Sequence, residues 1–196
     1  MKQSYDFSIE KIKNLSKEEK SFRQKNLDLF LESGFPNKQI EDWKFTDLNS
    51  ILNKNFENIS NNQELSFDKK LQIIKNFDHN YIFLINGEIN SIDIKHEEEN
   101  KVSIKDYNEK NSVIIEVRNS LNLLNNALSS GGFYLEISKN YKLKKPLIVY
   151  NYFSDDLKNV ILNNKNSIKL NEGAHLTLIE YNLDDSKCNF IKNTED

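Results

Sequence analysis

Apolar positions recur at helical spacing between Lys17 and Leu31, where Phe22, Leu27, Phe30 and Leu31 fall near one side and Lys and Glu fill the rest. Ser16 stands where an N-cap belongs, and Glu19 three residues later completes a capping box. Gly34 stops this helix, because glycine accepts the left-handed conformation of a C-terminal cap. Pro36 then forbids continuation by lacking an N–H and fixing φ. A shorter apolar pattern from Phe45 to Leu52 predicts one or two further helical turns. Asn53 to Asp68, rich in Asn, Ser and Gln, reads as a mobile connection.

Strand character begins at Tyr81-Ile82-Phe83-Leu84-Ile85 and meets Asn86-Gly87, a strong turn signal. Ile89, Ile92 and Ile94 follow, which predicts a hairpin. Glu97-Glu98-Glu99 reads as a solvated loop rather than a binding site. After Asn111, short apolar runs recur at Val113–Val117, Phe133–Ile137, Leu147–Tyr150, Val160–Leu162, Ile168–Leu170 and Leu176–Tyr181. Turn signals such as Gly131-Gly132, Lys145-Pro146 and Glu172-Gly173 separate them. One helical interruption is predicted at Ser120–Leu128, where Leu121, Leu124, Asn125 and Leu128 share a face. Strands this short and this spaced suit either an all-β sandwich or a β-solenoid, and the spacing alone does not separate the two.

Composition narrows the function classes only modestly. The 196 residues can bury a real core, and 12 Phe and 8 Tyr argue against simple disorder despite 37% hydrophobic content. A formal charge of -3 on a mixed surface gives no general pull toward nucleic acid. The abundance of Lys, Asn and Ile is what an AT-rich genome imposes on neutral positions, so lysine clusters and asparagine runs carry no functional weight. Cys188 is the only cysteine, so no intrachain disulfide can form, which fits a reducing compartment. No apolar run approaches a membrane span or a signal-peptide core, and the expected location is the cytoplasm.

The most specific stretch runs from Gly34-Phe35-Pro36 to Glu41-Asp42-Trp43-Lys44-Phe45-Thr46 and holds the only Trp. Together with Ile82–Gly87, Leu123–Leu128 before Gly131-Gly132, Lys145–Val149 and Asn171–Glu180, it resembles the SufD family of the SufB/SufD superfamily. The order and spacing of these segments carry the resemblance, from about Ser21 to Tyr181. Its signature positions here are Gly34, Pro36, Glu41, Trp43, Thr46, Asn125 and Gly173, and their expected role is structural. Trp43 would pack the helical part, and Glu41 would accept bonds from nearby backbone N–H groups.

The resemblance implies a mixed α and β fold. A helical N-terminal domain with a small hairpin (1–110) would precede the first rungs of a right-handed parallel β-helix (111–196), cut short. It also implies a non-enzymatic scaffold in iron–sulfur cluster assembly, partnered by a SufB-like paralogue and a SufC-like ATPase. No cofactor would be bound by this chain alone; the complex would assemble the cluster. Family members are roughly twice this length, so the regions that dock SufB and SufC are expected to be missing. A truncated interaction module and a SufB-like paralogue are the rival readings. A polysaccharide-active solenoid would need carboxylates stacked on one face, and none are evident.

Metal and catalytic signals are sparse. Iron–sulfur ligation commonly takes four thiolates, and this chain has one. Cys188 reads as a small packing residue. His79, His96 and His175 do not form a ligand set by spacing. Alternation puts Ala174, Leu176 and Leu178 on one strand face and His175 with Thr177 on the other, so His175 is expected to point outward. No Ser-His-Asp order, phosphate loop or zinc spacing occurs.

Overall fold

The computed structural model describes residues 4–12, 15–61, 73–107, 119–184 and 190–195. Strand β1 (Ser4–Asp6) opens the chain, before helix α1 (Lys17–Ser33), a 3-10 turn (Glu41–Trp43), α2 (Leu48–Asn55) and β2 (Asn58–Ser60). Then come β3 (Asn80–Ile85), β4 (Glu88–Asp93), β5 (Val102–Asp106), α3 (Ser120–Leu128), β6 (Phe133–Ile137) and β7 (Leu147–Phe153). The last four strands are β8 (Val160–Lys165), β9 (Ser167–Leu170), β10 (Leu178–Asp184) and β11 (Phe190–Glu195).

The expected architecture, a helical N-terminal domain leading into the rungs of a parallel β-helix, is corrected by this arrangement. Among the described residues there are three helices of 17, 8 and 9 residues and eleven strands in three sheets. The sheet orders are β1-β2-β8-β11, β10-β7-β3-β4 and β5-β6-β9. Strands appear from Ser4 onward, and two sheets mix antiparallel pairs (β3–β4, β5–β6) with parallel ones. The physical reason lies in what the helices can bury. On α1 the buried positions are Arg23, Asn26, Leu27 and Phe30, so only two of the four are apolar. So thin a stripe cannot support a helical domain. It joins a core made with Leu52, Ile59, Leu124, Leu128 and Ile161 instead, and the three helices lie with β2 and β8 around it.

The buried stripe also differs from the expected one. Leu31 is 52% exposed and Phe22 only partly buried, because Arg23 and Asn26 take the inward positions. Further along, the hairpin forms where expected. Asn86 and Gly87 both take positive φ (50° and 91°), the combination that matches strand twist in a two-residue turn. Ser120–Leu128 and Phe133–Ile137 form over their expected spans, while β7 and β8 run further than their apolar cores. The expected mobile connection is α2's end and β2 as far as Asn61, and its remainder lies outside the described residues. The Val113–Val117 strand and Cys188 also lie outside them.

All seven residues of β7 are buried, as suits a strand flanked on both sides by parallel partners and covered on both faces. Leu147 and Val149 face Ile82, Leu84, Leu135 and Ile137, whereas Ile148, Tyr150 and Tyr152 pack with Phe83 and Ile85 on the other face.

Candidate functional site: the signature segment and the polar clamps

Local chemistry shapes the Gly34–Thr46 segment step by step. Ser16 Oγ accepts from Glu19 N (3.1 Å) and Ser16 N donates to Glu19 Oε2 (2.9 Å), so the expected capping box starts α1. Gly34 ends the helix at φ 71°, with its N–H donating to Phe30 O. Phe35 and Pro36 turn inward, and the Phe35 ring meets Phe30 edge-on at 5.1 Å. The chain then returns to the surface. Ile40 N donates to Asn37 O, Trp43 N to Ile40 O and Thr46 N to Trp43 O, which winds the 3-10 turn. Asp47 caps α2 by accepting from Ser50 N (2.9 Å) and pairs with Lys38 at 3.2 Å. The Ser50 N–H, followed by Lys38, holds the Asp47 carboxyl below its usual range.

The signature side chains therefore divide. Gly34 and Pro36 serve the helix stop and the core. Glu41 is exposed and pairs with Lys44, not with backbone N–H groups as expected. Trp43 is only partly buried and stands outside the buried core, which corrects the expectation that it packs the helical part. Phe45 is 90% exposed, with the Lys44 ammonium 5.1 Å from its ring centre. Thr46 is exposed. The segment thus displays Ile40, Trp43 and Phe45 among charges.

Asn125 and Gly173 lie in two other places. Asn125 is inside α3 and 1% exposed; the residue that caps α3 is Asn119, which accepts from Asn122 N at 3.0 Å. Gly173 takes φ 71° in the turn from Asn171 to Ala174, where a Cβ would approach Asn140 Oδ1 to 2.3 Å. His175 is exposed while Ala174 and Leu176 pack inward, as the alternation predicts, but Leu178, expected on the same inner face, is 43% exposed. His79 is buried: Nδ1 lies 3.0 Å from Phe77 O and Nε2 2.9 Å from the Tyr150 hydroxyl.

Two polar clamps escaped the reading of the sequence. Arg23 donates through Nη1 to Ala127 O (3.1 Å) and Ser129 O (2.9 Å), closing the C-terminal end of α3 from α1. Burial lowers its pKa, with Glu19 pulling the other way. Glu97 is no mere member of a solvated acidic loop. Its carboxylate accepts from Asn80 Nδ2 (2.6 Å), Tyr141 Oη (2.8 Å), Lys144 N (3.1 Å) and Lys145 N (3.2 Å). Burial pushes this carboxyl up, but the Lys144 N–H, Tyr141, Asn80 and Lys145 more than offset it, and its pKa falls below the usual value. Nothing in an acidic triplet marks which member turns inward. Among the described residues, no group of three or more His, Cys, Asp or Glu side chains could hold a metal ion.

The chain matches the family model described as SufBD protein N-terminal region over residues 3–149, and it belongs to that family, whose work is iron–sulfur cluster assembly. No curated protein matches it. The matched region contains Gly34, Pro36, Glu41, Trp43, Thr46 and Asn125, whereas Gly173 lies beyond it.

Proposed function

We propose that this chain is a SufD-like, non-enzymatic scaffold subunit that works in the cytoplasm with a SufB-like paralogue and a SufC-like ATPase. In this reading the iron–sulfur cluster is the cargo of the complex, and no cofactor is resident in this chain alone. The observation that carries it is the family match over residues 3–149, which takes in the helices, the hairpin and the first strand-rich part. The exposed Ile40 and Phe45 beside half-buried Trp43 add to it, since apolar side chains displayed among charges suit a protein contact. Among the described residues no helix is long and apolar enough to cross a membrane.

The test is co-expression with a SufB-like and a SufC-like protein of the same source, followed by native mass spectrometry. A complex that contains all three chains is expected. Recovery of a complete, cluster-loading SufB–SufC assembly that excludes this chain would refute the scaffold reading. A rival reading, an interaction module that works by strand addition, is favoured by one observation. The edges β9 and β10 carry half-exposed Ile168, Leu170, Leu178, Ile179 and Tyr181.

A further inference from the structure

Strands β8 and β11 run parallel with Asn163 level with Asn193. Asn193 Nδ2 donates to Asn163 Oδ1 (2.8 Å) and also to Leu121 O on α3 (3.0 Å). One turn further along α3, Asn125 Nδ2 donates to two backbone carbonyls, Asn164 O and Asn193 O, each at 3.0 Å. A single helix side chain thus grips both strands, at Asn164 on β8 and at Asn193 on β11, and Asn193 is sensed twice, by its carbonyl and by its side-chain amide.

The orientations are dictated by this network. Turning the Asn125 amide over would aim its oxygen at two carbonyl oxygens, and turning Asn163 would set one NH2 against another. Asn125 Oδ1 and Asn163 Nδ2 find no protein partner, so the seam leaves two buried polar atoms unspent for the sake of this geometry. Apolar packing of β11 is thin by comparison, since Phe190 and Ile191 are only partly buried.

We propose that Asn125, together with Asn163, selects the strand that seats on the β8 edge, admitting a parallel strand with asparagine at the level of Asn163. Slipping β11 by one residue turns its side chains to the opposite face. Slipping it by two brings Ile191 or Glu195 to the Asn193 level. Neither side chain can donate to both Leu121 O and Asn163 Oδ1. Asn125 and Asn163 are positioning residues in this role, and the inference does not rest on the scaffold reading.

The test is hydrogen exchange on the full chain, comparing residues 190–195 with residues 178–184 of the neighbouring edge strand β10. Asn193→Ala is expected to speed exchange in 190–195 by about tenfold, as loss of two hydrogen bonds implies, with 178–184 unchanged. Asn193→Asp keeps the shape but sets a carboxylate oxygen against Leu121 O and Asn163 Oδ1, and is expected to lose at least as much protection as Asn193→Ala. In the unaltered protein the Asn125 and Asn193 side-chain amide protons should exchange slowly by NMR. Unchanged protection of 190–195 in Asn193→Ala, equal losses in both strands, wild-type behaviour of Asn193→Asp, or fast side-chain exchange would each overturn the proposal. The side-chain measurement needs no variant, so poor folding of a mutant leaves the proposal falsifiable.

Discussion

Replacing Glu97 by Gln should cost about 2–3 kcal/mol of stability at pH 7. The carboxylate gathers donors from three places: Asn80 at the start of β3, the Tyr141 hydroxyl, and the Lys144 and Lys145 N–H groups before β7. A hydrogen bond to a charged group contributes roughly 1.5–3 kcal/mol, but these cannot be summed, because Glu97 is only half-buried and water competes. Gln retains one acceptor oxygen. Its NH2 would confront either the Lys144 N–H or the Tyr141 hydroxyl, leaving one or two donors unpaired at about 1–2 kcal/mol each. Urea unfolding followed by circular dichroism measures the difference.

The pH dependence gives a second handle. The folded pKa of Glu97 lies below its unfolded value, so its stabilisation is fully present above the unfolded value near 4.5. It is lost as pH falls through the folded pKa. The gap between wild type and Glu97→Gln should therefore hold from pH 7 to about 5 and shrink below about 4.5. A gap under about 0.5 kcal/mol at pH 7, or one that widens on acidification, would refute the clamp.

Three further predictions test the packing. Phe30→Ala should cost about 3–5 kcal/mol, since the ring is fully buried among Phe7, Phe35 and Tyr5, whereas Trp43→Ala should cost only about 1–2; equal thermal shifts would contradict this placement of Trp43. Gly132→Ala would drive a Cβ to 1.8 Å from Lys165 O at φ 118° and should cost roughly 3 kcal/mol or more, against about 1–2 for Gly34→Ala, where no atom lies within 4 Å; chemical denaturation ranks the two. Tyr150→Phe should cost about 1–3 kcal/mol, because the Ile74 N–H and His79 Nε2 lose their shared hydroxyl; a neutral result by calorimetry would mean that the irregular segment before β3 is held by other contacts.

The elements legible in the sequence were those with one clear local cause. The capping box at Ser16, the Gly34 stop, the Asn86-Gly87 hairpin, α3 and β6 all follow from patterns of a few residues. The architecture was less legible, because it depends on which polar residues turn inward. Arg23 and Asn26 look like surface positions of α1, yet they supply half of its buried stripe. Phe45 looks like a core residue and is almost fully exposed. The pairing of sheets is equally non-local, since β2 at Ser60 meets β8 at Val160.

The asparagines show a signal that was present but discounted as compositional bias. In the second sheet Tyr150-Asn151 lies level with Tyr181-Asn182, and Phe83, Tyr150 and Tyr181 form one column with successive ring centres 5.7 Å apart. In the first sheet Ile161, Asn163 and Asn164 lie level with Ile191, Asn193 and Thr194. Parallel strands in register stack like on like, so a short motif that recurs with its hydrophobic frame marks a register partner. The aromatic column aligns its strands by area and ring geometry, which tolerate small shifts. The amide column aligns them by directional bonds that one misplaced residue breaks. That contrast explains why Asn125 sits against β8 and β11: at this seam the register rests on directional bonds from Asn125 and Asn193 rather than on a column of stacked rings.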